Sequence, residues 1–357
     1  MKSIKVLITG GGAPGIAGTI YSLKNNDDNR DIEIITVDAR NDVVGKYISD
    51  KFYKVPKATE PKFLDAIKEI VISENVDVIL PQVTRELDIF SRNKTDLENL
   101  GVKIIVMRNE ILPNFNNKFL LMKKYSELGY DQGKYFLVKN EEELLDAAYK
   151  LGYPKKTFVV KLPVSNGMRG LRIVRNQKIS YKQFVEEKPT GIYATLDEIV
   201  SLYNERRFEL IAMEYFPGDE YTVDVYRSPI SGKTIAIPRK RDVIRTGITF
   251  EGTVERNEEL IKRSIELADK MKGEFCFGFQ FKIKKNGDFG ILESNPRVQG
   301  TMIMSTLSGA NMIYWSVKES LGEEVTLDNI RISWGLKFKR LWGGIGIINE
   351  KTVKVTY

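Results

Sequence analysis

Gly278-Phe279-Gln280-Phe281-Lys282-Ile283 and, a few residues on, Phe289-Gly290-Ile291-Leu292-Glu293-Ser294-Asn295-Pro296-Arg297 decide the reading of this chain. The two apolar runs, separated by the polar turn Lys284 to Asp288, have the length and punctuation of two neighbouring strands. Residues two apart on a strand share a face, so Glu293 and Asn295 point to one side and Gln280 can join them from the adjacent strand. One carboxylate and two amides offer only oxygen, a donor set that suits Mg²⁺, a hard ion that completes its shell with water and nucleotide phosphates. Arg297, just past the strand end, carries a permanently charged fork able to reach a phosphoryl group. The plain alternative is a hairpin with a polar face and a Pro-Arg turn.

Composition narrows the chemistry further. The 357 residues contain no histidine and a single cysteine, Cys276. That excludes Ser-His-Asp and Cys-His nucleophile systems, imidazole metal sites, internal disulfides and multi-cysteine clusters. Cys276 reads as a buried strand residue in FCFGF, and its isolation fits a reducing compartment. Hydrophobic residues at 42% and charged residues at 29% describe an ordinary globular chain, and no apolar run approaches the roughly 18–20 residues needed to span a bilayer. A cytoplasmic protein without membrane contact is expected. The net charge of +7 is spread along most of the chain, which argues for a solvated surface and against nucleic acid. One cluster stands apart: Lys233, Arg239, Lys240, Arg241 and Arg245 suit a phosphorylated ligand.

Three domains are expected, at 1–112, 113–206 and 207–357. Strands at 4–9, 32–37, 76–80 and 102–106 alternate with helices near 16–24, 60–74 and 85–99, which is the pattern of a parallel α/β sheet. Helices at 118–128 and 141–151 then precede strands near 157–161 and 171–174 around the polar loop SNGMRG. From Phe208 the chain reads mostly as long strands, at 208–216, 220–228, 233–240, 275–284 and 289–293, with helices near 257–272 and 311–321. This is an α+β layer with an antiparallel sheet.

Gly10-Gly11-Gly12-Ala13-Pro14-Gly15 follows the first strand, and Asp38 ends the second, 23 residues after Gly15. That spacing passes the test for a dinucleotide-binding turn. It equally suits a tight turn whose glycines only let a helix pack closely. Tyr47 and Lys51 make a Tyr-x-x-x-Lys pair of the kind a short-chain reductase uses, but too early in the chain. A Rossmann-like front domain follows; a bound nicotinamide does not.

Glu293-x-Asn295-Pro296-Arg297, preceded by Gln280, resembles the ATP-grasp superfamily, and within it the branch of the carbamoyl-phosphate synthase large chain. The resemblance implies an ATP-grasp fold of mixed α/β and α+β character behind an N-terminal Rossmann-like (pre-ATP-grasp) domain. It implies that Glu293 bridges two Mg²⁺ ions, exchangeable for Mn²⁺, with Asn295 completing the second and Gln280 on the first. Val159-Val160-Lys161 followed by Ser165-Asn166-Gly167-Met168-Arg169-Gly170 is similar to the family's phosphate lysine and mobile glycine-rich loop, whose N–H groups close over the phosphates. Lys118 matches the upstream nucleotide lysine. In Glu209 to Asp224, the connector after Met213-Glu214-Tyr215-Phe216 is similar to the segment that pairs with adenine, with Met213 and Phe216 as apolar walls and Glu220 as the ribose carboxylate. Arg239, Arg241 and Arg245 match a basic strand facing phosphates or a substrate carboxylate, and strict alternation would put all three on one face.

The resemblance implies an ADP-forming ligase in which ATP converts a carboxylate to an acyl phosphate that an amine or other nucleophile then attacks. Lys161, Arg241 and Arg297 would carry the phosphoryl chemistry. The chain has one such module where carbamoyl-phosphate synthase has two, and nothing in it resembles a glutaminase. ATP, a small carboxylate and a nucleophile are the implied partners, with a homodimer compatible. An NAD(P)-dependent Rossmann oxidoreductase and a non-catalytic ATP-binding protein are the competing readings.

Overall fold

The computed structural model describes residues 2–165, 167–176, 185, 191–341, 343–348 and 351–355. The chain divides into two compact units: residues 1–115, 221–280 and 294–357 form the larger, and 116–220 with 281–293 the smaller.

The larger unit opens with a five-stranded parallel sheet of β1 (Ile4–Thr9), β2 (Ile32–Asp38), β3 (Lys51–Lys54), β4 (Val78–Leu80) and β5 (Lys103–Ile104), in the order β3-β2-β1-β4-β5. Strands covered on both faces read as continuous apolar runs, and Val6, Leu7, Ile8, Val78 and Ile79 are fully buried. The helix Ile16–Lys24 follows the glycine turn directly. A Cβ at Gly15 would lie 2.8 Å from the Gly300 Cα, and one at Gly18 would lie 3.1 Å from Ile303, so these glycines allow the helix to meet residues 300–303. The turn holds its own acid as well: Asp38 Oδ2 accepts the Gly12 N–H at 2.8 Å and Oδ1 accepts the Arg40 N–H at 2.9 Å. The glycines of this turn therefore serve close packing, and Asp38 is hydrogen-bonded into the turn itself.

The smaller unit contains β6 (Tyr135–Val138), β7 (Phe158–Lys161), β8 (Arg172–Val174), β9 (Tyr193–Ala194) and β10 (Leu210–Glu214), ordered β6-β10-β7-β8-β9. Its core packs the helix Glu141–Leu151 on this sheet through Leu144, Ala147, Ala148 and Leu151. Asn140 caps that helix by accepting the Glu143 N–H. Helix Leu196–Glu205 starts in a capping box made by Thr195 and Glu198.

The remaining strands are β11 (Glu220–Arg227), β12 (Thr234–Arg245), β13 (Ile248–Val254), β14 (Phe275–Ile283), β15 (Phe289–Asn295) and β16 (Lys337–Lys339), in a sheet ordered β15-β14-β11-β12-β13-β16. Residues 281–293, the end of β14 and most of β15, belong to the smaller unit. Helix Glu258–Met271 presents Leu260, Ser264, Leu267, Ala268 and Met271 as a buried stripe at helical spacing. Cys276 is buried in β14, as its setting in FCFGF suggests.

Two differences from the sequence reading have clear causes. The strand expected at 208–216 joins the smaller unit because β10 pairs antiparallel with β6 and β7, so the division of the chain does not follow the boundaries 112/113 and 206/207. The helix expected at 85–99 is a 3-10 turn (Thr84–Glu86) and two short helices (Leu87–Arg92, Lys94–Glu98) interrupted at Asn93, whose side-chain amide donates to the Ile89 carbonyl. Among the described residues no helix is long and apolar enough to cross a membrane.

Two outcomes follow from this packing. Gly15→Val should cost about 1–3 kcal/mol in a denaturant titration, because the new side chain meets backbone that has no room to give. Glu86, buried beside the end of β1, is pushed up to about 7, first by burial and further by the negative charge of Asp38, against a hydrogen bond from Thr9. A carboxyl raised in the folded state binds a proton that the unfolded chain has lost, so stability should fall as pH rises from about 4.5 to about 7. Glu86→Gln should remove that slope, on the order of 3 kcal/mol across the window, when melting is followed at several pH values. An unchanged slope would contradict the assignment.

Candidate functional site

In the smaller unit, β7 ends on Lys161, whose side chain is only 3% exposed. Its Nζ donates to the Leu292 carbonyl at 2.7 Å. Burial, followed by the positive charge of Lys118, pushes this ammonium down to about 7, while the charges of Glu293 and Glu220 oppose the shift. Lys118 opens the helix Lys118–Glu127, which Asn117 caps by accepting the Phe119 and Leu120 N–H groups at 2.9 and 3.2 Å. The Lys118 backbone N–H donates to the Pro163 carbonyl at 2.8 Å. Its Nζ donates to the Ser165 carbonyl at 2.7 Å and lies 3.5 Å from Glu293 Oε2. Two buried ammonium groups and a carboxylate therefore stand together, fed by a helix N-terminus, a strand end and β15. Burial and the neighbouring positive charge both work against the Lys161 ammonium, and Glu293 offsets them in part.

The glycine-rich loop beyond β7 turns through positive φ at Gly167, Met168 and Gly170, and a Cβ at Gly170 would lie 2.5 Å from Leu162. Asn166 lies outside the described residues. Met213 is buried on β10 opposite Val159 and Tyr135, and the Phe216 ring covers Gly290 so closely that a Cβ there would come within 2.3 Å of it. Glu214 is exposed; its N–H donates to the Lys134 carbonyl at 2.9 Å and its carboxylate accepts the Lys134 N–H at 3.4 Å.

In the larger unit, Arg297 donates Nη2 to Asn295 Oδ1 at 3.0 Å, Nη1 to the Val298 carbonyl at 2.8 Å and Nε to Thr84 Oγ1 at 3.2 Å. Asn295 Oδ1 thus anchors the arginine with one lone pair and has a second to offer. Gln280 stands on β14, half-buried. Gln280 and Asn295 offer amide oxygens in this unit, and among the described residues no group of three His, Cys, Asp or Glu is placed to hold a metal ion.

The basic strand departs from the alternation expected of it. Arg239 is fully buried in an ion pair with Asp224: Nε lies 2.7 Å from Oδ2 and Nη2 donates to Oδ1 at 2.7 Å. It also donates to Thr301 Oγ1 at 2.8 Å and Gln299 Oε1 at 3.3 Å. Arg241 is buried and donates to Thr249 Oγ1 and to the Gly247 carbonyl. Register shifts between Arg241 and Ile244 then break the alternation, and Arg245 lies exposed with its guanidinium over the Phe250 ring at 4.8 Å. Arg239, expected to face phosphates, is committed to this wholly buried network. Thr84 is the residue that sequence reasoning misses; it touches Arg297 from 213 positions away, a separation no local pattern announces.

Residues 206–341 match the family model described as ATP-grasp in the biosynthetic pathway with Ter operon, and residues 6–105 match the PylC-like N-terminal domain. A formate-dependent phosphoribosylglycinamide formyltransferase from a Nitratiruptor species is 24% identical over 319 residues, covering 86% of this chain and 74% of that one. The protein of that name from Methanocaldococcus jannaschii is 28% identical over 176 residues, 49% of this chain and 41% of its own. Among solved structures, N5-carboxyaminoimidazole ribonucleotide synthetase in its ADP complex superposes with a TM-score of 0.66 at 20% identity, covering 92% of this chain and 79% of that one. Biotin carboxylase from Campylobacter jejuni gives 0.68 at 18%, covering 92% and 73%. Residues 206–341 thus carry an ATP-grasp domain and residues 6–105 a PylC-like N-terminal domain, and the chain shares its fold with these solved structures.

Proposed function

We propose that this ligase activates a one-carbon acid, formate or bicarbonate, as its acyl phosphate and passes the acyl group to an amine. The observation that carries the proposal is the buried lysine pair beside Glu293, which supports a site for the phosphates of ATP. The choice of acid rests on the relatives. Formate stands in the name of the formyltransferases. Bicarbonate accompanies MgADP in the biotin carboxylase domain of the Hydrogenobacter thermophilus 2-oxoglutarate carboxylase, which has a TM-score of 0.69 at 16% identity, covering 92% of this chain and 72% of that one.

In this reading Lys118 and Lys161 hold the β- and γ-phosphates, and Lys161 regains full charge against them. Glu220 takes the ribose hydroxyls, and the backbone of the connector after Glu214 takes the adenine edge beside Met213 and Phe216. Gly167 and Gly170 let the loop amides approach the phosphates. Gln280, Glu293 and Asn295 would hold Mg²⁺, which when bound neutralises phosphate charge and orients the γ-phosphoryl group. Arg297 stabilises the transferring phosphoryl and the developing oxyanion with a charge that needs no proton transfer. Arg241, further along the basic strand, supplies positive charge for the substrate carboxylate. No step asks for a histidine. The bond broken is that between the β- and γ-phosphates, so ADP and phosphate leave.

The test is ADP release with formate or bicarbonate, using hydroxylamine in place of the amine. With formate the acyl phosphate should be trapped as formohydroxamate and with bicarbonate ADP release is the readout, and Arg297→Ala should lower either roughly 10²–10³-fold, the usual loss when one charge-stabilising donor is removed. Glu293→Gln should leave the fold intact and reduce turnover below a tenth of wild type. AMP and pyrophosphate as products would refute the mechanism, and a stable phosphorylated product would make the protein a kinase on this fold.

A further inference from the structure

Three of the acceptors that hold Arg297 are not equivalent. The Asn295 amide oxygen and the Val298 carbonyl belong to the arginine's own turn, so they move with it. The Thr84 hydroxyl, 3.2 Å from Nε, comes from the front sheet of the same unit. It alone of these three refers the guanidinium to a frame outside its own loop. A guanidinium is planar, so fixing Nε as well as both terminal nitrogens sets the plane in which the fork is presented.

The segment carrying Thr84 is itself pinned. Thr84 begins the 3-10 turn that follows β4. Two residues earlier, the Gln82 N–H donates to Thr9 Oγ1 at the end of β1, at 3.1 Å. Val83 occupies the space where a Cβ on Gly10 would lie, 2.6 Å from its Cγ2, and Gly10 has a φ of +69°. Only glycine satisfies both demands. The Glu86 N–H closes the turn on the Val83 carbonyl at 3.0 Å, and its side chain is buried. A glycine turn that looks like a cofactor cradle thus acts as the mounting for residues 82–86.

We infer that Thr84 is a positioning residue for Arg297, and that the Gly10 turn serves the ligase reaction by holding Thr84 in place. The inference rests on the reading of Arg297 given under Proposed function. Without the threonine hydroxyl the arginine keeps its charge and its two local acceptors but loses one reference outside its own turn. The loss should appear in the chemical step and spare nucleotide binding, since misplacement of a catalytic group by about 1 Å can cost on the order of 10²-fold in rate.

The experiment compares Thr84→Val, which keeps the shape and removes the acceptor, with Thr84→Ser, which keeps the hydroxyl, each alone and combined with Arg297→Ala. The readout is ADP release with the acid that supports it, together with the melting temperature of each variant. Thr84→Val should lower kcat roughly 10- to 100-fold with the KM for ATP within about twofold of wild type. Thr84→Ser should recover most of the rate, and in the Arg297→Ala background Thr84→Val should cost nothing more. A kcat for Thr84→Val equal to wild type, no rescue by serine, or a full additional loss in the Arg297→Ala background would overturn the inference while leaving Arg297 in its role. Wild-type turnover by Arg297→Ala alone would overturn the reading of the arginine, and this inference with it.

Discussion

The ammonium of Lys161 sits where an ammonium is least at ease, out of water and close to a second one. Burial and Lys118 both drive its proton off, and Glu293 and Glu220 only partly compensate. The elements around it are arranged to maintain this condition: a cap on the helix that starts at Lys118, the carbonyls of Leu292 and Ser165 as acceptors, and Glu293 as the shared counter-charge. A cluster of this kind weakens the empty protein and is relieved by a polyanion, which is how a binding site stores the preference that ligand binding expresses.

In the larger unit the cations are placed by the same need for partners. Arg239 is committed to Asp224, Thr301 and Gln299, and Asp224 in turn accepts the Ser305 hydroxyl at 2.6 Å. Breaking such a pair would leave a buried charge uncompensated, so the role of Arg239 is to hold β11, β12 and residues 299–305 together. Arg340 does similar work with carbonyls, donating to Thr249, Pro14 and Gly300. Of the basic run that suggests an anion pocket in the sequence, the fold takes Arg239 into a buried network and leaves Arg245 at the surface.

Much of this is legible without coordinates. The apolar runs of β1, β2 and the helices at 16–24 and 141–151 announce themselves by periodicity, and the superfamily is visible in Glu293-x-Asn295-Pro296-Arg297. Other elements carry quieter local signals: Thr195-x-x-Glu198 is a capping-box pattern ahead of the helix at 196–205, and Thr246-Gly247, both at positive φ, turns β12 into β13. The burial of Arg239 and the contact of Thr84 with Arg297 have none. Both depend on partners brought close by the sheets, and β12 additionally loses its alternation at a bulge that strand periodicity does not reveal.

The central claim is that the Lys118, Lys161 and Glu293 cluster receives the phosphates of ATP. Calorimetric titration of MgATP at about pH 8, repeated in buffers of different ionisation enthalpy, tests it directly. In the free protein Lys161 is largely neutral at that pH, because its ammonium is pushed down to about 7, and phosphates beside it would raise it again. Binding should therefore take up close to one proton, and Lys161→Met should abolish that uptake. Binding of MgATP with no change in heat among the buffers, or an uptake that persists in Lys161→Met, would contradict the account.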